Sequence, residues 1–378
     1  MSIIQEHSIK LDITLPKGDV SAKMDVFYNP VMVSNRNISV LLLNCIENMG
    51  MNIVDPLAGS GIRSLRFMKE LKKGKMNHLF VNDRKENFKK TFKKGCTINK
   101  ISLIMQKKMT IGTEEASLFL LNRINDAVKP EEFCGYADYI EIDPFGSPNP
   151  FLSAAVARIA RQGIIAVTAT DTAALSGTYP RVTVRKYWAK PLRNYLMHEI
   201  GLRILIRKIQ LIGVQFDKAL MPVLSYHQEH YMRVYVRSEK GKEKCDEVLR
   251  QHQYFFYCDK CLAFKTSVFN KEKCGCGEEY DFAGPLWVGK LFDSQLVEKM
   301  ERENEFSEDA KFLQTLAAES KQEMAGFYDI HEIAHKMKII IPKMAEILRK
   351  TKGVRTHFSP SGIKTQMSVK EVMKMLQG

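Results

Sequence analysis

The sequence predicts an α/β protein whose sheet is mostly parallel with an antiparallel finish, followed by a smaller α+β C-terminal domain containing a metal knot. Three observations predict it. Strand-length apolar runs alternate with helical patterns between residues 51 and 170, at the spacing of βαβ units. Two strand patterns then follow in a row near residues 214–224 and 231–237, which suggests the antiparallel finish. Finally, Cys258-Asp259-Lys260-Cys261 and Cys274-Gly275-Cys276 form two tight pairs joined by twelve residues, the spacing of a closed zinc site.

In chain order, residues 1–30 are short apolar alternations around Pro16-Lys17-Gly18-Asp19, expected as a hairpin or cover strand. An apolar helical pattern through Ile38, Leu41, Leu42, Cys45 and Ile46 follows the polar start Ser34-Asn35-Arg36-Asn37. The alternating units come next. Strands are expected at 51–55, 79–83, 101–105, 139–143 and 163–170, with helices at 62–71, 85–94, 114–121 and 151–160. Residues 172–193 form an excursion rich in Gly, Pro, Tyr and Arg before a helix at 196–210. The charged stretch Ser238-Glu239-Lys240-Gly241-Lys242 is the expected boundary, giving domains 1–238 and 239–378.

The chain has 57 Lys and Arg against 43 Asp and Glu, a formal net charge of +14. A protein that basic suits a polyanion, nucleic acid first, the alternative being a merely solvated basic surface. Met1 to His7 lack a basic segment followed by an apolar core, and no apolar run approaches the length of a membrane span. A cytoplasmic protein is expected, with no membrane association and no obligate protein partner. Outside the metal knot, Cys45, Cys96, Cys134 and Cys245 are isolated and read as packing residues.

The stretch Tyr139-Ile140-Glu141-Ile142-Asp143-Pro144-Phe145-Gly146-Ser147-Pro148 reads as a buried strand stopped by a Pro/Gly turn. It leaves Asp143 at a strand's carboxyl end, where ligands bind in open α/β sheets. Asp143 and Phe145 together can hold a flat amine-bearing group, the carboxylate accepting N–H bonds while the ring stacks; the alternative is an ordinary strand-to-loop junction. Asp55-x-x-x-Gly59-x-Gly61 follows another strand and opens a helix, and Asp83 ends the next one. Glycines allow close backbone approach, and an acid at Asp83 suits ribose hydroxyls. The pair supports an adenosine-containing cofactor. Ser64 stands where a dinucleotide fingerprint needs its third glycine, and no Gly-Lys-Ser/Thr loop is present. His331-Glu332-Ile333-Ala334-His335 matches a zinc-protease pattern, but it lies in a polar, Lys-rich segment without a third ligand and reads as a helix of a binding domain.

Asp55 and the Pro-containing acidic turn resemble S-adenosylmethionine-dependent methyltransferases that act on amino or amide nitrogens. More closely, Phe27-Tyr28-Asn29-Pro30, Asn35-Arg36, Asp55 through Arg63, and Asp143 through Pro148 resemble the tRNA guanine-26 N2-dimethyltransferases. So do Thr168-Ala169-Thr170-Asp171, Gly177-Thr178-Tyr179-Pro180, Arg355-Thr356-His357-Phe358 and Gly362-Ile363-Lys364-Thr365. The resemblance runs from about residue 20 to 366. Asn37 stands where that family usually has Asp, and Glu115-Ala116 where Asp-Ala is common.

The resemblance implies a class I S-adenosylmethionine methyltransferase, Rossmann-like in fold, with S-adenosyl-L-methionine as cofactor and tRNA as partner. It implies that Arg36, Arg63, Asp83, Glu115 and Ala116 line the methyl donor, together with the Asp55, Gly59 and Gly61 loop. Asp143 would take the proton of the guanine amine, with the Pro144 carbonyl as a second acceptor. Phe27 and Phe145 would stack on the two faces of a flipped base. Structural Zn2+ would sit on Cys258, Cys261, Cys274 and Cys276. Arg349, Lys350, Lys352, Arg355 and Lys364 form a basic stretch suited to tRNA phosphates, Arg355 and Lys364 foremost, or else a solvated face. Two rivals stand: an amino methyltransferase acting on DNA or on a glutamine side chain, and a non-catalytic RNA-binding protein on a decayed cofactor fold.

Overall fold

The computed structural model describes residues 2–13, 26–126 and 135–377. The expected turn around Pro16-Lys17-Gly18-Asp19 and Cys134 lie outside them. A hairpin of β1 (Ser2–Glu6) and β2 (Ile9–Ile13) precedes α1 (Val33–Cys45). The alternating part then runs β3 (Met51–Asp55), α2 (Ile62–Glu70), β4 (Met76–Asn82), α3 (Phe88–Ile98), α4 (Leu103–Lys107), β5 (Met109–Gly112), α5 (Ala116–Asp126), β6 (Ala137–Ile142), α6 (Asn149–Arg158) and β7 (Ile159–Ala169). Next come α7 (Thr172–Leu175), α8 (Pro180–Tyr187), α9 (Met197–Val214), β8 (Lys218–Gln228), β9 (Tyr231–Lys240) and α10 (Lys242–Arg250).

A seven-stranded sheet has the order β5-β4-β3-β6-β7-β9-β8, and its first five strands are mutually parallel. Only Glu229 and His230 separate β8 from β9, so that pair is an antiparallel hairpin. Strand order reverses between β3 and β6, which opens a crevice outside their carboxyl ends. Asp55 ends one of these strands and Asp143 follows the other. Ile53, Val54, Ile140 and Ile142 are completely buried, as strands covered on both faces require.

The expected strand at 101–105 is instead α4, and the third strand of the series is β5. Ser102 accepts the amide hydrogen of Met105 at 3.2 Å and so caps a helix, while Lys100 turns the chain with φ +51°. An apolar run of that length does not by itself distinguish strand from helix.

The chain divides into two compact units: Met1–Ala169 with Tyr235–Lys240 and Arg302–Asp309, and Thr170–Val234 with Gly241–Glu301 and Ala310–Gly378. The stretch 238–242, expected as the domain boundary, comprises the end of β9 and the start of α10. In the second unit, β10 (His252–Tyr257), β11 (Phe264–Ser267) and β12 (Asp281–Trp287) form an antiparallel sheet in the order β11-β10-β12. After α11 (Ser294–Arg302) and α12 (Ala310–Glu319), β13 (Tyr328–Asp329), α13 (Ile330–Met337), α14 (Met344–Thr351), β14 (Val354–Arg355), β15 (Gly362–Lys364) and α15 (Val369–Gln377) complete the chain.

Candidate functional site

Asp143 stands one residue beyond β6, where buried Pro144 stops the strand and Gly146, at φ +76°, turns the chain. Its Oδ2 accepts a hydrogen bond from Arg63 Nη2 at 2.5 Å. Its side chain is 21% exposed, against 6% for Arg63, so the pair sits at the edge of solvent. Arg63 lies in the first turn of α2 and is tied on three further sides. Nη2 also donates to Asn35 Oδ1 at 2.8 Å, Nη1 donates to Ser39 Oγ at 2.8 Å, and Glu141 Oε2 lies 3.7 Å from Nη1. Asp55, buried at the end of β3, accepts from Ser64 Oγ at 2.8 Å. Burial, with Glu141 and Asp143 adding and Arg63 opposing, pushes its carboxyl up to about 7. Arg63, expected against a donor carboxylate, is thus the clamp on Asp143.

On the other side of the crevice, Asp83 Oδ2 accepts the Gly59 amide hydrogen at 2.9 Å, and Oδ1 accepts that of Lys85 at 3.1 Å. Gly59 and Gly61 both have positive φ, +58° and +76°. A Cβ on Gly61 would lie 2.3 Å from the Phe92 ring, so that glycine answers to packing as well as to backbone conformation. Buried Asn82 was not singled out from sequence. Its Nδ2 donates to the carbonyls of Pro56 and Glu114, and its Oδ1 accepts the Glu114 amide hydrogen, so one side chain buckles the loops after β3 and β5. An Asn beside an acid at a strand end was the available signal. Glu115 is exposed, and its Oε2 accepts the amide hydrogens of Ser117 and Leu118, capping α5 just before buried Ala116.

Two further sets of expected site residues pair with one another or with neighbouring side chains. Phe27 and Phe145 do not form a parallel sandwich. Their ring centroids are 4.3 Å apart at 71°, the edge-to-face contact that the ring quadrupoles favour. Arg36, expected at the donor, is buried on Glu6 of β1, with Nε at 2.7 Å and Nη2 at 2.5 Å. Arg66 Nη1 and Tyr28 OH donate to the same carboxylate at 3.0 Å each. Burial opposes ionisation of Glu6, but Arg36 and then Arg66 outweigh it and lower its pKa.

In the second unit the Sγ atoms of Cys258, Cys261, Cys274 and Cys276 lie within 4.8 Å of one another. Cys258 to Cys276 is 3.5 Å and Cys261 to Cys274 is 3.4 Å. Metal–sulfur bonds of about 2.3 Å give tetrahedral edges of about 3.8 Å, so the four thiols fit a closed Zn2+ site. Each pair sits in a backbone turn: Leu262 N–H donates to the Cys258 carbonyl, and Gly277 N–H to that of Cys274. It is the only such group among the described residues. His331 and His335 lie on the exposed face of α13 and join no such group.

Residues 3–377 match the family model described as N2,N2-dimethylguanosine tRNA methyltransferase. The chain belongs to this family. A tRNA (guanine(26)-N(2)/guanine(27)-N(2))-dimethyltransferase of Aquifex aeolicus is 36% identical over 390 residues, covering 100% of this chain and 96% of that protein. A tRNA (guanine(26)-N(2))-dimethyltransferase of Methanobrevibacter smithii is also 36% identical, covering 97% and 95%. The structure of Trm1 from Pyrococcus horikoshii with S-adenosyl-L-methionine superposes with a TM-score of 0.85 at 31% identity, each chain covered completely. The fold is that of a class I S-adenosylmethionine methyltransferase with a C-terminal part carrying the thiol cluster.

The blocks that carried the dimethyltransferase resemblance near the C-terminus have a structural use. Lys364 was expected on tRNA phosphates, and the structure corrects this. The side chain is buried, its Nζ 3.1 Å from Glu199 and 3.4 Å from Glu319. Glu199 also takes Arg203 Nε at 2.8 Å and the Gly326 amide hydrogen at 2.9 Å. Glu319 accepts from Thr356 Oγ1 and from the amide and Nδ1 of His357. Burial works against the Glu319 carboxylate, but His357 and Lys364 outweigh it and hold its pKa at about 2. Arg355, by contrast, is exposed, with Nη1 donating to the Pro360 carbonyl at 3.1 Å.

Proposed function

We propose that this chain transfers methyl groups from S-adenosyl-L-methionine to the exocyclic N2 of guanine 26 in tRNA, giving N2-methyl- and then N2,N2-dimethylguanosine, in the cytoplasm. The observation that carries the reading is Asp143, a partly exposed carboxylate at the switch-point crevice with Oδ2 held by Arg63 and Phe145 exposed beside it. Oδ1 makes no hydrogen bond to any described residue and is free to accept one. The guanine amine is a poor nucleophile because its lone pair is delocalised into the ring. An acceptor that orients the amine and takes its proton as bonding develops removes that obstacle. Asp143 has this position, with the Pro144 carbonyl as a second acceptor. The open face of Phe145 suits a base extruded from its stack.

The donor, when bound, supplies an electrophilic methyl on a sulfonium cation. The residues present fit such a group. Asp55, Glu141 and Asp143 outnumber the one cation among them, which favours positive charge. Asp83 suits the ribose hydroxyls, and the Gly59 and Gly61 loop brings backbone to the same crevice. Glu115 and Ala116 suit the adenine edge. Arg63 holds Asp143 in this crevice, and Arg36 is held on Glu6 of β1. The thiol cluster takes no part in the chemistry, because four protein ligands leave no position for water. Arg355 is proposed at a tRNA phosphate.

Incubation of the protein with labelled donor and an unmodified tRNA transcript, followed by nucleoside mass spectrometry, tests the reading. The expected products are labelled N2-methyl- and N2,N2-dimethylguanosine, both lost when guanine 26 is replaced by adenine. Label on another nucleoside, or on none, overturns it.

A further inference from the structure

Between Thr172 and Gln210 the chain carries eight Lys and Arg against a single acid, Glu199, and that acid is buried on Arg203 and Lys364. Lys186 pairs with Asp171 and Lys190 with Asp281, and Arg203 and Lys208 are buried, so the exposed cations left are Arg181, Arg185 and Arg193, two of them on α8. Its inner face is fastened: Thr183 Oγ1 donates to the Ala174 carbonyl, and Tyr187 OH donates to Asp171 Oδ1 at 2.6 Å. Its outer face, at i, i+3, i+4 and i+7 spacing, presents Arg181, Val184, Arg185 and Trp188, all exposed. Neither arginine has a carboxylate within ion-pair distance among the described residues. Tyr179, just before the helix, is 59% exposed. Arg193, also exposed, has its Cβ 3.3 Å from where a side chain on Gly177 would begin.

Trp188 is the second, independent sign. It closes α8 in the left-handed region, φ +57° and ψ +37°, where helices normally place glycine and a bulky residue is strained. The strained indole is nevertheless half in solvent, at 49% exposure. The second unit holds it there. Arg207 Nη1 donates to its carbonyl at 3.2 Å, and Lys208 Nζ sits 3.0 Å from the ring centroid on one face. An indole kept half in solvent, with a cation on one ring face and two arginines without a carboxylate partner among the described residues on the same helix face, has the parts of a stacking platform.

We propose that α8 with Tyr179 and Trp188 is an RNA-docking surface, in which Arg181 and Arg185 meet backbone phosphates and an unpaired base stacks on Trp188. Its chemistry selects a polyanion with exposed π-faces. Unpaired nucleotides carry a phosphate and a π-face at every residue, whereas a base-paired stem hides its π-faces. The proposal rests on tRNA being the substrate and adds where part of that substrate is gripped.

The chain has two tryptophans, and Trp287 is buried, so emission changes on titration report Trp188. Unmodified tRNA transcript added to the full chain should quench emission, and Trp188→Phe should abolish the quench. Trp188→Ala should weaken binding on the order of tenfold. The exposed pair Arg181→Glu with Arg185→Glu should lower the slope of log affinity against log salt by roughly 1.5, two phosphate contacts' worth. All variants should bind the methyl donor as the wild type does, calorimetrically. Should Trp188→Ala fail to fold, the arginine pair still decides. Emission indifferent to tRNA together with an unchanged salt slope overturns the proposal, even if guanine methylation proceeds. Absence of methyl transfer with quenching intact would instead overturn the enzymatic reading and leave this surface standing.

Discussion

Around Arg63, three carboxylates (Asp55, Glu141 and Asp143) share one guanidinium; around Arg203 and Lys364, two carboxylates (Glu199 and Glu319) share two cations. The residue types are the same and the consequences differ. In the first unit acid is in excess, so burial drives one member, Asp55, toward its protonated form, and another, Asp143, keeps an oxygen at the edge of solvent. In the second unit charge is balanced and every member is enclosed. Each carboxylate stays ionised there, Glu319 well below the ordinary range. An unbalanced, partly open cluster can move a proton, whereas a balanced, closed one can only hold chain segments together. The thiol cluster belongs with the second kind.

The largest expected effect comes from the closed side. Removing the metal with a chelator should unfold the module around Cys258, Cys261, Cys274 and Cys276, since such a site supplies on the order of 10 kcal/mol. Loss of the β10–β12 amide protection in hydrogen exchange is the readout, and an unchanged exchange pattern would break the assignment of the site as structural.

Lys364→Ala should destabilise the protein by about 3–5 kcal/mol in denaturant unfolding, because it leaves two buried carboxylates short of a cation. The salt dependence of tRNA binding should stay as in the wild type. A changed slope with unaltered stability would return Lys364 to the RNA surface.

Asp55 sharpens the contrast through pH. Its pKa is raised on folding, from 3.8 to about 7, so its contribution to stability is full below about pH 4 and is lost as pH rises through about 7. Asp55→Asn should flatten that part of the profile and gain on the order of 1–2 kcal/mol over the wild type at pH 8. A variant whose melting temperature tracks the wild type from pH 4 to 8 would contradict the buried-acid reading. Smallest is Glu115→Ala, which removes the cap of α5 and should cost about 1 kcal/mol. A donor affinity lowered more than tenfold by the same change would show that the carboxylate also meets the adenine.

Much of this contrast was legible in the sequence, and what was not has a physical reason. Asp143, the glycine loop and the cysteine pairs announce themselves because their chemistry is local: a strand stopped by Pro144, a turn, two short ligand spacings. The burial of Lys364 and the pairing of Arg36 are not legible because their partners are remote. Glu199 lies 165 residues from Lys364, and Glu6 lies 30 from Arg36 across residues without a clear pattern. A cation's sequence neighbours do not say whether a carboxylate will be folded onto it. The strand expected at 101–105 failed for the opposite reason, since its own Ser102 caps a helix and outweighed the apolar run. Asn82 escaped notice because its three bonds go to backbone of other loops.

The central claim is that Asp143 accepts the proton of the guanine amine while Arg63 holds it in place. The most direct measurement is the single-turnover rate of methyl transfer to an unmodified tRNA transcript for Asp143→Asn beside the wild type, with donor affinity measured calorimetrically on both. The account predicts a rate lower by about 10^2–10^4, the usual worth of a positioned base, with donor affinity changed no more than a few-fold. Transfer at the wild-type rate by Asp143→Asn would contradict it, because the amide oxygen stays on Arg63 and the position of Oδ1 then holds an NH2 group that can take no proton from the amine.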